Sequence, residues 1–402
     1  MNQDISTEGR LAVFAASGKT IAGGATVLQV LPALETGGVE RGTVDVANAV
    51  VAAGGRSIVA SAGGRMVHEL SRGGAEHVTL PVDSKNPLVM RANIRRLVRI
   101  IKSENVDVVH ARSRAPAWSA IAAANKTGRR FVTTFHGTYG RSNVFKRRYN
   151  SVMTRGERVI AISDFIAGHM REAYGVPAGK IRVIHRGVDI ARFDPAKVSQ
   201  ERIIALSERW RLPDGMPVVM LPGRLTRWKG QRVFIEAVKL LTDHDVRCLI
   251  VGADQGRDTY RKKLIKEIEG AGLGGKIHVI DHCDDMPAAY MLTDAVISAS
   301  IEPEAFGRVV TEAQALGRPV IATDHGGARE TIVDGRTGWL TPPGDARALA
   351  ATIARVLDQD PSARGNYAAR AVAHIRDNFT KDAMCAKTIA VYDELLGGAP
   401  AG

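Results

Sequence analysis

Cysteine is scarce in this chain: three in 402 residues, Cys248, Cys283 and Cys385. Their spacing fits neither a disulfide framework nor a zinc site. That excludes a small stapled secreted fold and points to a reduced, cytoplasmic setting. Long apolar runs are missing too. None approaches the ~20 residues of a spanning helix. Leu11-Ala-Val-Phe-Ala-Ala16 is too short and wrongly flanked for a secretory signal. There is no G-x-G-x-x-G dinucleotide fingerprint. There is also no recognisable nucleic-acid module or stacking platform, so nucleic acid is not an expected partner. Asp243-His-Asp245 looks like a metal-binding Asp pair, but it sits at the amino end of the next strand and reads as a solvated turn. Asp281-His-Cys-Asp-Asp285 matches no zinc or calcium spacing.

What is present is ordinary for a globular protein: 45% hydrophobic and 24% charged residues, with 41 glycines. The length implies two domains. Lysine and arginine exceed aspartate and glutamate, 55 − 42 = +13. Nucleic acid, an anionic membrane surface or phosphorylated ligands could each balance that charge.

Residues 1–25 read as a flexible polar tail. Strands are expected at 26–31, 57–61, 78–80, 106–110, 131–135, 158–162 and 181–184. Helices alternate with them at 39–53, 66–72, 87–104, 115–127, 143–155 and 164–174. A turn-rich link around Asp189–Glu201 and a helix at 200–210 follow. The pattern then restarts, with strands at 218–222, 247–252, 277–280, 295–300 and 320–322. Such alternation predicts an α/β fold with two doubly wound, Rossmann-like parallel sheets and a cleft between them. The expected domains are 26–195 and 196–380, with the last helix, in 381–402, packing back on the first.

The stretch Glu304-Ala-Phe-Gly-Arg-Val-Val-Thr-Glu312 follows a strand and opens a helix. Ligands of open parallel sheets bind at the carboxyl ends of strands, and free amides at a helix start favour an anion. From the residues alone, Glu304 and Glu312 read either as paired acid and base, as acceptors of sugar hydroxyls, or as carboxylates offsetting a helix dipole. Gly223-Arg224-Leu-Thr-Arg-Trp-Lys229-Gly230 is a glycine-framed basic loop after a strand. Arg224 can grip two phosphate oxygens and Lys229 adds a point charge. Gly37-Gly38 opens the first helix and reads equally as a phosphate loop or a plain turn. His136 ends a strand in Phe-His-Gly and is even between a structural and a catalytic role. His110 is a weaker candidate. Two predicted helices, 91–102 and 141–155, carry cations at helical spacing. The second mixes Phe145 and Tyr149 with Arg141, Lys146, Arg147, Arg148 and Arg155, a composition that suits an anionic membrane surface.

Taken together these motifs resemble the retaining glycosyltransferases of family 4, with the two-domain GT-B architecture. The resemblance runs from Val27 onward and is strongest over Glu304–Val320, which matches the family's Glu-x7-Glu motif. It implies that the first domain takes the acceptor and the second a nucleotide-sugar donor. Arg224 and Lys229 would hold the diphosphate, helped by Gly37 and Gly38 and by the helix opening at Ala305, Phe306 and Gly307. Glu304 would meet the sugar, Glu312 the ribose, and the loop with Ile280 and His282 the base. His136 would sit beside the transferred sugar. Cationic side chains and helix dipoles would neutralise the leaving group, so no metal or other cofactor is expected. The acceptor would be a glycan or lipid-linked glycan, as in lipopolysaccharide synthesis, with the enzyme peripheral on the inner membrane face through Lys146, Arg147 and Arg148. The alternatives are a nucleotide-sugar 2-epimerase of the same architecture and a non-catalytic nucleotide-sugar or nucleic-acid binder.

Overall fold

The computed structural model describes residues 21–139, 143–254, 256 and 258–397. Most of the expected tail and Arg141 therefore lie outside the described residues. The chain divides into two compact units. One holds everything up to Gly187 together with Lys381 onward, and the other is Val188–Thr380.

The first unit is built on seven parallel strands: β1 (Thr26–Val30), β2 (Arg56–Ser61), β3 (Glu76–Thr79), β4 (Val108–Ala111), β5 (Arg130–Phe135), β6 (Arg158–Ala161) and β7 (Ile181–Val183). Their order is β3-β2-β1-β4-β5-β6-β7. All five residues of β1 are buried. A strand covered on both faces by helices needs an unbroken apolar run, and Thr-Val-Leu-Gln-Val comes close to one. The exception, Gln29, donates its amide to the Thr43 carbonyl at 3.1 Å. The register places Val27 beside Val108 and Leu28 beside Ile58.

The last helix, Lys381–Leu395, belongs to this unit. Met384, Cys385, Ile389, Val391, Tyr392 and Leu395 join Val27, Val46, Val50, Val108 and Ile160 in one apolar cluster. Glu394 fixes the helix further through ion pairs with Arg158 and Arg182, at 2.6 and 2.5 Å.

The second unit carries six parallel strands: β8 (Val218–Pro222), β9 (Arg247–Val251), β10 (Ile277–Ile280), β11 (Ala295–Ser298), β12 (Val320–Thr323) and β13 (Trp339–Thr341). Their order is β10-β9-β8-β11-β12-β13. The chain winds outward from β8 to β10, then crosses back to place β11 on the other side of β8. A crevice opens where the winding reverses, at the carboxyl ends of β8 and β11.

Three local expectations are corrected. The basic segment 143–155 is not one helix. It runs as an α-helix over Val144–Asn150 and tightens into a 3-10 turn over Ser151–Thr154. Ser151 and Thr154 hydroxyls bond back to the carbonyls of Arg148 and Ser151, at 2.7 and 2.8 Å, and favour the tighter turn. The third strand begins two residues earlier than 78. β13 and the one-turn helix Ala328–Thr331 were not expected at all, being too short to show a period. Among the described residues, no helix is long and apolar enough to cross a membrane.

Candidate functional site

The second unit places Lys229 and Glu304 on either side of the β8/β11 switch. Lys229 Nζ lies 2.6 Å from Glu304 Oε1, and the two side chains are only 13% and 16% exposed. Ser300 donates to the same oxygen at 2.5 Å and Ser298 at 3.5 Å. Burial alone would raise the Glu304 pKa. The Lys229 charge and these hydrogen bonds overcome it and hold the carboxyl below the usual range. The pair is thus a fixed carboxylate and a fixed ammonium. Trp228 buttresses the cation, its ring centroid 4.6 Å from Nζ.

Glycines shape the cradle. Gly230 has φ +73°, and a Cβ there would overlap the carbonyl oxygen of Ala299. The Lys229 loop can therefore lie flush on the chain leaving β11 only if residue 230 is glycine. Gly326 and Gly327 press in the same way on Glu304 and Phe306, and the Gly327 amide donates to the Glu304 carbonyl at 2.8 Å.

The helix Arg308–Ala315 starts at Gly307, which is left-handed at φ +87°. Its first turn carries no acidic residue, so no carboxylate there offsets the dipole, whose positive end favours an anion. Phe306 is buried against Phe379, with ring centroids 5.8 Å apart. Ala305 is half-buried beside it.

Glu312 has different partners. Arg308 donates to its Oε1 at 2.6 Å and the buried Tyr290 hydroxyl to its Oε2 at 3.1 Å. The two glutamates therefore share no partner, and each is oriented by its own donors. Arg224 is exposed. Among the described residues its guanidinium has no ion-pair partner, while its carbonyl accepts from the buried Gln231 amide at 2.9 Å. Beyond β10, Ile280 is half-buried and His282 exposed. His282 Nε2 lies 2.9 Å from Asp284. Asp281 pairs with Arg261, and Asp285 with Arg202 at 2.6 Å. These loop carboxylates are thus already engaged.

The first unit gathers a separate polar cluster. Arg186 donates from Nη2 to the Gly38 carbonyl at 2.8 Å and to His136 Nδ1 at 3.1 Å. An arginine has nothing to accept with, so His136 Nδ1 is the acceptor and its proton sits on Nε2. Burial first, then Arg186 and Arg112, press the His136 pKa well below its ordinary value and keep the ring neutral. Its Nε2 is buried and meets no partner among the described residues. His110 is placed otherwise: Tyr392 Oη and Thr134 Oγ1 each lie 2.7 Å from its ring nitrogens. It is a satisfied core residue that ties the last helix to β4 and β5. Gly37 is the N-cap of the helix Gly38–Ala52, and a Cβ on it would come 2.5 Å from the Glu40 carboxylate. Lys146, Arg147 and Arg148 are exposed on the short helix Val144–Asn150, together with Val144 (79% exposed) and Phe145 (85%).

Sequence reasoning passed over Ser298, Ser300, Tyr290, Arg308, Arg112 and Arg186. A signal existed for the two serines: they alternate at the end of a strand and so face the same way. Tyr290 carried none, since it reaches Glu312 from a helix 22 residues away.

Residues 36–192 match the family model described as Glycosyltransferase Family 4, and residues 203–372 the one described as Glycosyl transferases group 1. A solved glycosyltransferase from Rickettsia africae is 39% identical, with TM-score 0.86, over 94% of this chain and all of that one. HepE of Anabaena, solved with UDP and glucose, is 25% identical with TM-score 0.80, over 93% of this chain and 99% of that one. Among curated relatives, D-inositol 3-phosphate glycosyltransferase of Xylanimonas cellulosilytica is 31% identical over 61% of this chain and 60% of its own length. The lipopolysaccharide core mannosyltransferase LpcC of Rhizobium leguminosarum is 30% identical over 61% of this chain and 67% of its own. The chain spans between half and three fifths of the length of the first curated relatives it matches. With both halves matched and a full-length relative at 39% identity, the chain belongs to the family 4 glycosyltransferases of GT-B fold.

Proposed function

We propose that this protein transfers a sugar from a nucleotide diphosphate donor to a glycan or lipid-linked acceptor, with the anomeric configuration retained. The Lys229–Glu304 pair at the β8/β11 switch carries this reading. An ionised carboxylate held by two serines and a lysine is set to accept hydrogen bonds from sugar hydroxyls. The ammonium beside it, the free Arg224 fork and the amides opening the helix Arg308–Ala315 face an arriving diphosphate. They would stabilise the charge that develops as the sugar leaves. Glu312, fixed by Tyr290 and Arg308, is assigned the ribose hydroxyls, and the loop from Ile280 to His282 the base. The neutral His136 is assigned to the transferred sugar. Since these cations and amides supply the neutralisation, turnover should survive EDTA.

A UDP-sugar is the first donor to test, because the similar HepE binds UDP and glucose. A lipopolysaccharide-type acceptor is favoured by LpcC and by the exposed cationic and aromatic helix Val144–Asn150, which suits the inner membrane face. Thermal shifts with UDP-, GDP- and ADP-sugars identify the donor, since binding raises the midpoint by mass action. Product anomers read by NMR test retention. Inversion, or no shift with any nucleotide sugar, would sink the proposal. Conversion of donor to an epimer without acceptor would replace it with the epimerase reading.

A further inference from the structure

The second unit carries a groove at the end of its sheet opposite Lys229 and Glu304. It encloses about 780 Å³, a size typical of small-molecule sites. Asp294 and Arg318 lie in its wall. Asp294 stands just before β11 and Arg318 just ahead of Pro319 and β12, so the groove opens at the amino ends of these strands. Glu304 lies beyond the carboxyl end of β11. The helix Pro361–Asn378 closes the groove with the small apolar side chains of Ala368, Ala369 and Val372.

The charged groups of the wall are unequally engaged. Arg364 is committed through all three nitrogens. It donates to Asp294 Oδ1 at 3.2 Å and to the carbonyls of Leu357 and Gln359 at 2.6 and 3.1 Å. Asp294 is committed too, because its Oδ2 accepts the Val218 amide at 2.9 Å. Arg318 differs. Among the described residues it makes no ion pair, and its Nε is enclosed without a partner. Nη1 reaches the Thr293 carbonyl at 3.3 Å and Nη2 the Met291 sulfur at 3.5 Å. The first is longer than an ordinary N–H···O bond and the second goes to a weak acceptor. Burial weakens its hold on the proton, and the charge of Asp294 only opposes that effect. Capping the helix Met286–Met291 through Thr293 uses one of five donors. It leaves the charge itself without a counter-ion in a largely apolar groove.

We propose that this groove binds a small organic monoanion with an apolar body, its carboxylate on Arg318 and its body along Ala368, Ala369 and Val372. Charge complementarity sets the class. At the rim the exposed Arg376 and Asp377 cancel in net charge, and Arg364 cancels Asp294, so one cation remains. A planar carboxylate matches the guanidinium fork. The nearby Asp294 repels a second negative charge, which disfavours phosphate esters and diphosphates. A neutral sugar would leave Arg318 unbalanced and find no hydrogen bonds on the apolar wall. This site lies apart from the Lys229–Glu304 pair and does not rest on the transferase reading.

The full chain, labelled with 13C at its methionine methyls, is titrated with octanoate, 1-octanol, octylammonium and octyl phosphate at equal ionic strength. The Met291 resonance, assigned through Met291→Leu, reports on the groove. Octanoate should shift it saturably, and the other three probes should need at least about tenfold more, the worth of one charge-assisted hydrogen bond. Arg318→Met keeps the length and removes the charge. It should weaken octanoate about tenfold and bring it level with 1-octanol. Ala369→Trp fills the groove from an exposed position. It should weaken octanoate and 1-octanol alike without moving the unfolding midpoint, so the conclusion does not depend on one variant. Several results overturn the site: no saturable shift, octylammonium as strong as octanoate, or octanoate binding unchanged in both variants. Tighter binding of octyl phosphate overturns the monoanion class. A wild-type dimer that Ala369→Trp dissolves would give the groove to a second copy of the chain instead. The titration needs neither nucleotide sugar nor turnover, so failure of the transferase reading leaves it intact.

Discussion

Glu304 shows how a side chain's chemistry is set by its partners. A carboxylate this buried would normally take up a proton, yet Lys229 at 2.6 Å and Ser300 at 2.5 Å keep it ionised. Glu304→Gln keeps the shape and removes the charge, leaving Lys229 enclosed without its counter-ion. Lys229→Ala leaves the carboxylate held by serines alone. Each should lower kcat about 10²- to 10³-fold, the usual loss for a donor aimed at developing charge. Near-normal kcat in either variant would remove the pair from the mechanism. His110 makes the opposite case. A strand-end histidine looks reactive in sequence, but Tyr392 and Thr134 satisfy both its nitrogens. Tyr392→Phe should therefore destabilise the first unit by about 1–3 kcal/mol, the cost of one buried polar group left unpaired, and leave donor binding unchanged. A denaturant titration reads the first effect and a UDP-glucose shift the second. Glu304, Glu312, Lys229 and His136 could be singled out in the sequence as candidates because the motifs around them fix their place at strand ends and a helix start. Arg112 could not, because nothing local reveals that Gly42 and Arg186, 70 and 74 positions away in the chain, meet its guanidinium.

At the scale of the element, the glycine loops decide whether those side chains meet. Gly230 must be left-handed and must also lie against Ala299, and only glycine does both. Gly230→Ala should cost about 1–3 kcal/mol in strain and draw Lys229 away from Glu304, with turnover falling alongside stability. Gly215→Ala is the control. Its φ is also positive, at +72°, but open space surrounds it. It should show the strain without the loss of turnover, measured by unfolding and single-turnover assays. Equal turnover losses would mean that close approach at 230 is irrelevant. The sequence reveals such elements unevenly. β1 and β8 are buried along their whole length and read as apolar runs. β13 has three residues and no period to detect. The 143–155 segment kept its helical spacing through Asn150, after which serine and threonine hydroxyls competed for the backbone.

For the whole molecule, the excess of thirteen positive charges needs a destination. Part of it lies on the helix Val144–Asn150, where Lys146, Arg147 and Arg148 surround the exposed Val144 and Phe145. This helix is fixed to the helix Arg114–Thr127: Trp118 donates to the Tyr149 carbonyl at 3.2 Å and Arg114 to Asn150 at 3.1 Å. Leu88, 78% exposed, opens the basic helix Pro87–Ser103, which bonds to the same element through Ser119 and Met90. Cations around exposed apolar side chains suit a surface that is charged at its face and oily beneath. The two contributions separate by salt. Attraction to anionic lipid is worth about 1 kcal/mol per basic residue and is screened over roughly 8–10 Å at physiological salt, whereas apolar insertion is not. Sedimentation with vesicles containing phosphatidylglycerol should show binding that weakens as salt rises. The Lys146/Arg147/Arg148 triple alanine should lose about 3 kcal/mol and most of that salt dependence. Phe145→Ser should weaken binding at every salt concentration and leave the slope unchanged. If the triple variant binds and turns over acceptor like wild type, the helix is an ordinary solvated face, and the charge excess serves phosphorylated ligands alone.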